Sequence, residues 1–314
     1  IKKAGIFFFV MGLCFSLYGA GGVGADFLRV EPQARAAAMS NAFCGIAADV
    51  SSMIYNPAGL INVRNPSLSL THFSSFVDTN YEYLAFGAPL GPGTAGVSVL
   101  FCYSYDFPEF NEWGAEVGDV SNHDIVATTA YAYKLMPGLA AGVNLKFFYS
   151  RLYIYSKIGI AFDAGMLFNL GLNPDVCAGI AVQNIGDQGA FISVKDPLPS
   201  NVKAGMSVKL KETGIGTVTL AMDVNRLLLR DEMPTLDIGG EVEIFEVFCV
   251  RAGYGFRHDV ANMSAGMGLI MGDIRFSYAF QPFDMLGTTH RFSLDVEFVD
   301  KKQEIPENQG VSGR

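Results

Sequence analysis

The sequence predicts an all-β transmembrane barrel of about fourteen antiparallel strands, preceded by one short helical stretch. Three observations carry this prediction. Half of the 314 residues are hydrophobic and the mean hydropathy is +0.28. Yet beyond the first 22 residues no apolar run reaches the roughly 18 residues that a membrane helix needs. A chain this apolar without such a run has distributed its apolar side chains by alternation, and from Ser67 onward that alternation recurs in units of about ten residues, the length a tilted strand needs to cross a bilayer. The connections between units also alternate, short then long, as the tight inner turns and longer outer loops of a membrane barrel do.

The alternation is cleanest in the second half. Val202, Ala204, Met206, Val208 and Leu210 fall on one face, while Lys203, Gly205, Ser207, Lys209 and Lys211 fall on the other. A period of two puts the two sets on opposite sides of a sheet. Leu145, Phe147 and Tyr149 stand in the same way against Asn144 and Lys146, and Phe292, Leu294, Val296 and Phe298 against Arg291, Ser293, Asp295 and Glu297. The predicted strands are 67–73, 82–89, 95–103, 123–135, 139–150, 158–170, 175–184, 201–211, 216–225, 235–245, 248–257, 263–271, 273–281 and 289–298. An even number returns the last strand to the side where the first began, as closure requires.

Short turns follow the even-numbered strands, at Leu90, Met136 to Gly138, Gly171 to Pro174, Glu212 to Gly214, Glu246 and Met271 to Asp273. Most long connections follow the odd-numbered ones, notably Ser104 to Asn122, Ile185 to Ser200 and Arg226 to Pro234, and these are expected to form the outer rim. A soluble β-sandwich would alternate too, but it has no reason to keep this pattern of connections, and the strands are too many for one sandwich. Glycine (35), tyrosine (13) and phenylalanine (25) suit the turns and aromatic girdles of a membrane barrel.

Residues 1–22 join Lys2 and Lys3 to an apolar core and a small-residue end, which reads as a secretory leader, with an uncleaved anchor as the alternative. Residues 299–314 are polar and aperiodic, and a disordered periplasmic extension is expected there. Cys44, Cys102, Cys177 and Cys249 are widely spaced without metal-ligand patterns and are expected to fill small apolar gaps; a Cys177–Cys249 disulfide is the alternative. The net charge of −9 excludes a basic nucleic-acid face. His72, His123, His258 and His290 lack metal-ligand spacing, and no nucleophile elbow or phosphate-cradling loop appears, so neither an enzyme nor a cofactor or metal is expected.

The stretch from Ala25 to Leu60 is the exception to the strand pattern. Ala34 to Phe43 is Ala-rich and free of β-branched residues, which predicts a helix, and Asn56-Pro57 forces a turn. Its motif, ARAAAMSNAFCGIAADVSSMIYNPAGL, resembles the N-terminal segment of the FadL/PorV superfamily of outer-membrane barrels, which includes long-chain fatty acid transporters and an uncharacterised spirochaetal branch. The match rests on Ala34 to Ala38, Asn41-Ala42-Phe43, Ala47-Ala48-Asp49 and Tyr55 to Leu60. The resemblance implies that residues 23–62 are a hatch inside the barrel formed by residues 63–298, and that Asn56, Pro57 and Ala58 take part in its gating. It also implies location in the outer membrane, contact with membrane lipid, and transport of long-chain fatty acids or similar hydrophobic ligands.

With apolar residues toward lipid, Lys146, Asp163, Lys203, Asp237, Glu241, Arg251, Arg257, Arg275, Arg291 and Asp295 are predicted to point inward. Most are expected to pair with one another and brace the wall. Lys203, Arg257 and Arg291 should lie near the outer half, where cations can hold an anionic head group. Phe107, Phe110 and Trp113, on the predicted outer loop Ser104 to Ser121, either form a landing site for an acyl chain or belong to an interfacial aromatic belt. The functional alternative to a transporter is a structural barrel of the PorV type, a docking platform for a secretion or envelope protein. A general diffusion porin is opposed by a plug.

Overall fold

The computed structural model describes residues 23–75, 79–214, 216–228, 233–258, 262–283, 285 and 287–299. The leader and the polar tail lie outside these residues, save for Val299. Fourteen strands follow one another along the chain. The first seven are β1 (Ser67–Ser74), β2 (Thr79–Leu90), β3 (Gly93–Phe110), β4 (Glu116–Met136), β5 (Leu139–Leu152), β6 (Tyr155–Asn169) and β7 (Asp175–Gln188). The others are β8 (Asn201–Thr213), β9 (Gly216–Leu227), β10 (Thr235–Ile244), β11 (Phe248–Phe256), β12 (Met263–Met271), β13 (Ile274–Pro282) and β14 (Thr288–Glu297). Each pairs antiparallel with its sequence neighbours, and β1 pairs with β14 from Ser67↔Glu297 to Ser74↔His290, so the sheet closes without an edge. Closure satisfies every ladder hydrogen bond internally, the condition for a sheet in hydrocarbon.

The alternation sorts as expected. Leu84, Phe86, Val143, Phe147, Met206 and Phe292 stand exposed on the outer surface, while Thr71, Asn144, Asp163, Lys203, Asp237 and Ser293 are buried on the inner one. Near the rim of long connections the outer surface carries an aromatic band: Phe101 stacks with Tyr103 at 5.1 Å, and Tyr278 lies 5.2 Å from Phe292. Among the described residues the cysteines are free, and Cys177 and Cys249 sit on β7 and β11 with three strands between them.

One expected loop is strand. β3 runs on to Phe110 and β4 starts at Glu116, so most of Ser104 to Asn122 is a ladder, with Phe107 opposite Val120 and a register shift between Ser104 and Phe107. At 18 and 21 residues these strands far exceed the roughly 9–11 that a bilayer crossing takes, and the hairpin projects past its neighbours. Water wets both of its faces there, so no apolar alternation marks it in the sequence.

Residues before Ser67 fill the barrel. A 3-10 turn at Asp26–Arg29 leads to helix α1 (Ala34–Ala37), helix α2 (Ser52–Tyr55) and a second 3-10 turn at Pro57–Asn62. The predicted helix over Ala34 to Phe43 is cut to its first four residues because wall side chains take over the backbone hydrogen bonds. Ser264 Oγ accepts from Ser40 N–H and donates to the Ala38 carbonyl, and the Asp223 carboxylate accepts from both Phe43 and Cys44 N–H at 2.9 and 2.8 Å. Ser40 and Asn41 then turn the chain through the left-handed region at φ 55° and 60°.

The hatch backbone approaches the wall so closely that side chains are excluded at several wall positions. A Cβ at Gly165 would lie 2.1 Å from Asn56 Oδ1, and one at Gly142 would lie 2.4 Å from the backbone of Pro57 and Ala58. Gly165→Ala is therefore expected to overpack the hatch seat and destabilise the folded barrel by about 1–3 kcal/mol. Gly214→Ala, which meets nothing within 4 Å, should stay within about 0.5 kcal/mol. The temperature at which the heat-modifiable electrophoretic band converts to the unfolded band checks both.

Candidate functional site

Buried polar pairs fix the hatch to the wall. The Glu241 carboxylate on β10 takes a two-pronged contact from Arg35 of α1, Nε at 2.9 Å and Nη2 at 2.7 Å, and a third from Arg251 Nε on β11 at 2.6 Å. Two guanidinium groups thus share one buried carboxylate, the setting in which such pairs hold geometry most firmly. Across the lumen, Asn144 Nδ2 donates to the Met53 carbonyl at 2.7 Å and Gln183 Nε2 to the Ile54 carbonyl at 2.6 Å. Lys146 and Asp163, paired at 2.7 Å, brace the wall itself.

Asn56, Pro57 and Ala58 occupy the tightest part of this seat. Asn56 Oδ1 caps the following turn by accepting from Ala58 N–H, while its Nδ2 donates to the Met166 carbonyl on β6 at 2.9 Å. Pro57 stands at the first position of the 3-10 turn, where its missing N–H costs nothing.

The hatch divides the lumen. On the side of the short turns, a cavity of about 300 Å³ is lined by charged groups, Arg35, Asp49, Glu241, Arg275 and Asp295 among them. Toward the rim of long connections, a vestibule of about 450 Å³ opens above the hatch. Lys203 and Arg291 both line it, as predicted. Lys203 Nζ is paired with Glu31 Oε1 of the hatch segment at 2.5 Å and lies 5.3 Å from the Tyr55 ring centroid. Arg291 Nη1 donates to the Glu31 carbonyl at 3.1 Å and its guanidinium lies over Phe73, while its buried Nε has no partner.

Arg257 does not join them. A left-handed residue at φ 63° just past the end of β11, it breaks the alternation and leaves its side chain exposed. His258 turns inward in its place and meets Asp237 Oδ1 at 2.7 Å through Nε2, beside Ser40 Oγ of the hatch, which donates to the same oxygen. That hydrogen bond and the Asp237 charge outweigh burial and raise the imidazole pKa above its ordinary 6.5. The other three histidines stand on the outer surface, where His72 pairs with Glu82 at 2.7 Å, Tyr278 Oη with His290 Nδ1 at 2.8 Å, and His123 packs against Tyr149.

Beneath the vestibule the lumen changes character. Leu28, Val30 and Ile54 line it and also line a narrow cleft of about 40 Å³ between the hatch and the wall, walled by Phe27, Met53, Tyr83, Leu100 and Val126. These belong to the largest apolar cluster among the described residues, which spreads over the inward faces of β2 to β6. An inward apolar face is unexpected from an alternation that sends apolar residues to lipid, and the small Ala and Thr residues interleaved there hid it. Glu31 and the cleft residues carry no mark in the sequence, and His258 stands there only as a histidine without metal-ligand spacing. Phe110 and Trp113 are exposed near the tip of the β3–β4 hairpin, Trp113 at 80 %, and do not line the vestibule; the Phe107 side chain is outside the described residues.

The profile of an uncharacterised protein family, UPF0164, matches residues 24–305. The chain belongs to the UPF0164 family. No curated protein matches the sequence significantly. In fold, this UPF0164 barrel is similar to the CymD monoaromatic hydrocarbon channel, with a TM-score of 0.59 at 12 % identity over 86 % of this chain and 98 % of that one. It is similar to the Pseudomonas putida toluene transporter TodX, TM-score 0.55 at 12 % identity over 90 % and 97 % of the two chains. It is also similar to a Pseudomonas aeruginosa FadL homologue, TM-score 0.54 at 10 % identity over 85 % and 98 %. The fold is that of these neighbours, and with its outward apolar band the chain is a multi-pass β-barrel of the outer membrane.

Removing the Glu241 carboxylate leaves two buried guanidinium groups short of their shared partner, so Glu241→Gln should destabilise the hatch by about 3–5 kcal/mol. Arg35→Met should cost less, because Glu241 keeps Arg251. Limited proteolysis within residues 23–66 ranks the two variants. For His258, the raised folded-state pKa means the Asp237 contact stabilises fully below the unfolded value of 6.5 and is lost as pH rises through the higher folded value. An NMR titration of the imidazole is expected to give a midpoint above 6.5, falling toward it in Asp237→Asn.

Proposed function

We propose that this barrel carries amphiphiles with an anionic head and a hydrophobic tail, long-chain fatty acids foremost, across the outer membrane. The observation that supports it is the continuity of a vestibule of mixed charge with an apolar cleft: the cations Lys203 and Arg291 line the first beside Glu31 and Asp237, and Leu28, Val30 and Ile54 pass from it into the second. A head group held by the cations would direct its tail toward the inward wall that carries the broadest apolar cluster among the described residues. The names of the structural neighbours, two hydrocarbon channels or transporters and a FadL homologue, favour a hydrophobic cargo without choosing among ligands. Residues 1–22 as an export leader and the polar end from Val299 as a periplasmic tail belong to the same reading, as does contact with membrane lipid around the wall.

In this reading the ligand is captured at the outer rim, Phe107, Phe110 and Trp113 offering it a first apolar contact, and slides under the 3-10 turn at Asp26–Arg29. The cleft is far too small for an acyl chain as it stands, so this turn must lift, and a shift at Asn56, Pro57 and Ala58 opens the remaining way. The hatch opposes a general diffusion porin, since it separates the two cavities of the lumen. A second reading, a docking barrel for a secretion or envelope protein, is favoured by the projecting β3–β4 hairpin. Its exposed Phe110, Trp113 and Val117 lie among Glu109, Glu112, Glu116 and Asp119, a surface that suits a basic partner.

Purified barrel in liposomes should take up palmitate faster than protein-free vesicles and give no large steady conductance. Pro57→Ala should change the uptake rate with the heat-modifiable band intact. Arg291→Met, which removes a charged donor worth about 1.5–3 kcal/mol, should weaken palmitate binding roughly tenfold or more. Uptake equal to that of empty vesicles, with no acyl chain co-purifying by native mass spectrometry, would move the weight to the docking barrel.

A further inference from the structure

We infer that Glu31 is a resident stand-in for the ligand's head group: a carboxylate amphiphile binds by exchanging for Glu31 on Lys203, and that exchange uncovers the apolar cleft. The inference rests on the transport reading and deepens it by selecting carboxylates among hydrophobic cargoes.

Four observations meet at this contact. Lys203 is almost wholly enclosed, its side chain only 2 % exposed, so its ammonium needs an anion and is costly to leave bare. Glu31 supplies that anion yet faces the vestibule, where an incoming molecule can reach it. Arg291 Nη1 already donates to the Glu31 carbonyl, and its Nε, buried without a partner, is a spare donor beside it. The fourth is the position of Glu31 in the chain. It lies between the 3-10 turn at Asp26–Arg29 and α1, and its neighbours Phe27, Leu28, Val30 and Pro32 are the hatch residues that roof the cleft.

The selectivity follows from the enclosure of Lys203. A neutral head group is a poor exchange for Glu31, because it would leave Lys203 only the nearby Asp223 carboxylate, which already accepts from the Phe43 and Cys44 N–H groups. A carboxylate is a good one, because one ion pair replaces another and the displaced Glu31 is free to be hydrated. Once Glu31 departs, the strand of hatch between Asp26 and Pro32 loses its one ion pair to the wall among the described residues, and the tail gains its opening.

The test compares palmitate with hexadecanol, equal in chain length and different in head group, by binding to the purified full chain in detergent. Glu31→Gln removes the competing charge while keeping the shape and a hydrogen-bond acceptor, and is expected to tighten palmitate about tenfold or more, the size of one charge-assisted contact, while hexadecanol stays within about twofold. Glu31→Asp should return palmitate toward the wild-type value, and Lys203→Met should narrow the distinction between the two probes to what Arg291 alone supplies. The heat-modifiable band reports that each variant is folded; if Glu31→Gln is not, the Lys203→Met and Glu31→Asp comparisons decide. Equal tightening of both probes by Glu31→Gln, or a palmitate affinity unmoved by it, overturns the exchange and leaves hydrophobic transport standing. Failure of both probes to bind any form of the chain removes the transport reading and this inference together.

Discussion

A polypeptide folded inside a membrane barrel has little water with which to satisfy its peptide groups, and the rest of this structure depends on how the wall meets that demand. Each hatch N–H or carbonyl outside its few helical turns needs a partner from the wall, since an unpaired one in such surroundings costs several kcal/mol. Inward side chains supply them: Asp223 to Phe43 and Cys44, Ser264 to Ala38 and Ser40, Ser293 to Ala34, Ser207 to Gly45, Asn144 to Met53. The inner face of this barrel is therefore polar for a reason different from that of a porin. Its polar groups address a fixed stretch of protein, and they are short side chains where the hatch is near and glycines where it touches.

The lumen that results is lopsided. The inward faces of β8 to β14 carry Lys203, Asp223, Asp237, Glu241, Arg251 and Arg291, whereas those of β2 to β5 gather Tyr83, Leu100, Val126 and Phe148 around two buried charges, Asp124 and Lys146. A side dense in charge facing a side richer in hydrocarbon is an unfavourable surface for free ions and for free hydrocarbon alike. It suits a molecule that has both, laid with its head toward β8 and β14 and its tail toward β2 to β5. The hatch repeats the division, with Arg35 and Glu31 facing the charged wall and Phe27, Leu28 and Met53 facing the apolar one.

Strand number, strand order and the inward cations were legible in the sequence because each depends on a period of two over a lipid-facing wall, where a misplaced charge is costly. Lys146, Asp163, Lys203, Asp237, Glu241, Arg251 and Arg291 all stand buried as that period placed them. Where the constraint lapses, so did legibility. Ser104 to Asn122 leaves the bilayer as a hairpin wet on both sides, so its strands carry no signature. Arg257 follows the period by one residue too many, past the point where the backbone turns left-handed and hands the inward position to His258. The Ala-rich stretch after Ala37 has the propensity for a helix, but propensity is worth tenths of a kcal/mol per residue and the buried hydrogen bonds of Asp223 and Ser264 outweigh it. Glu31 carries no sequence signal at all, because its significance comes from Lys203, 172 residues away.

The anchors are unevenly spread along the hatch, and this bears on how it can open. From Ala34 to Leu60 the chain is held by the shared Glu241 carboxylate, by Asp223 and by Asn56, all deep and mutually supporting. From Gly24 to Glu31 it is held by the Glu31 contacts, by the Gly24 N–H to Pro197 carbonyl bond at 3.0 Å and by the long 3.4 Å approach of Asn184 to the Leu28 carbonyl. Local stability follows the number and burial of such contacts, so the segment roofing the cleft lies at the low end of the range and the segment plugging the barrel at the high end. Expelling the whole hatch would expose buried guanidinium groups and the peptide groups that the wall now satisfies, whereas lifting its first eight residues breaks one ion pair and a few bonds and withdraws Ala25, Phe27 and Leu28 from their apolar contacts. Access to the cleft can thus be gained while the plug stays seated, so that under the transport reading a ligand would enter without the barrel becoming an open pore.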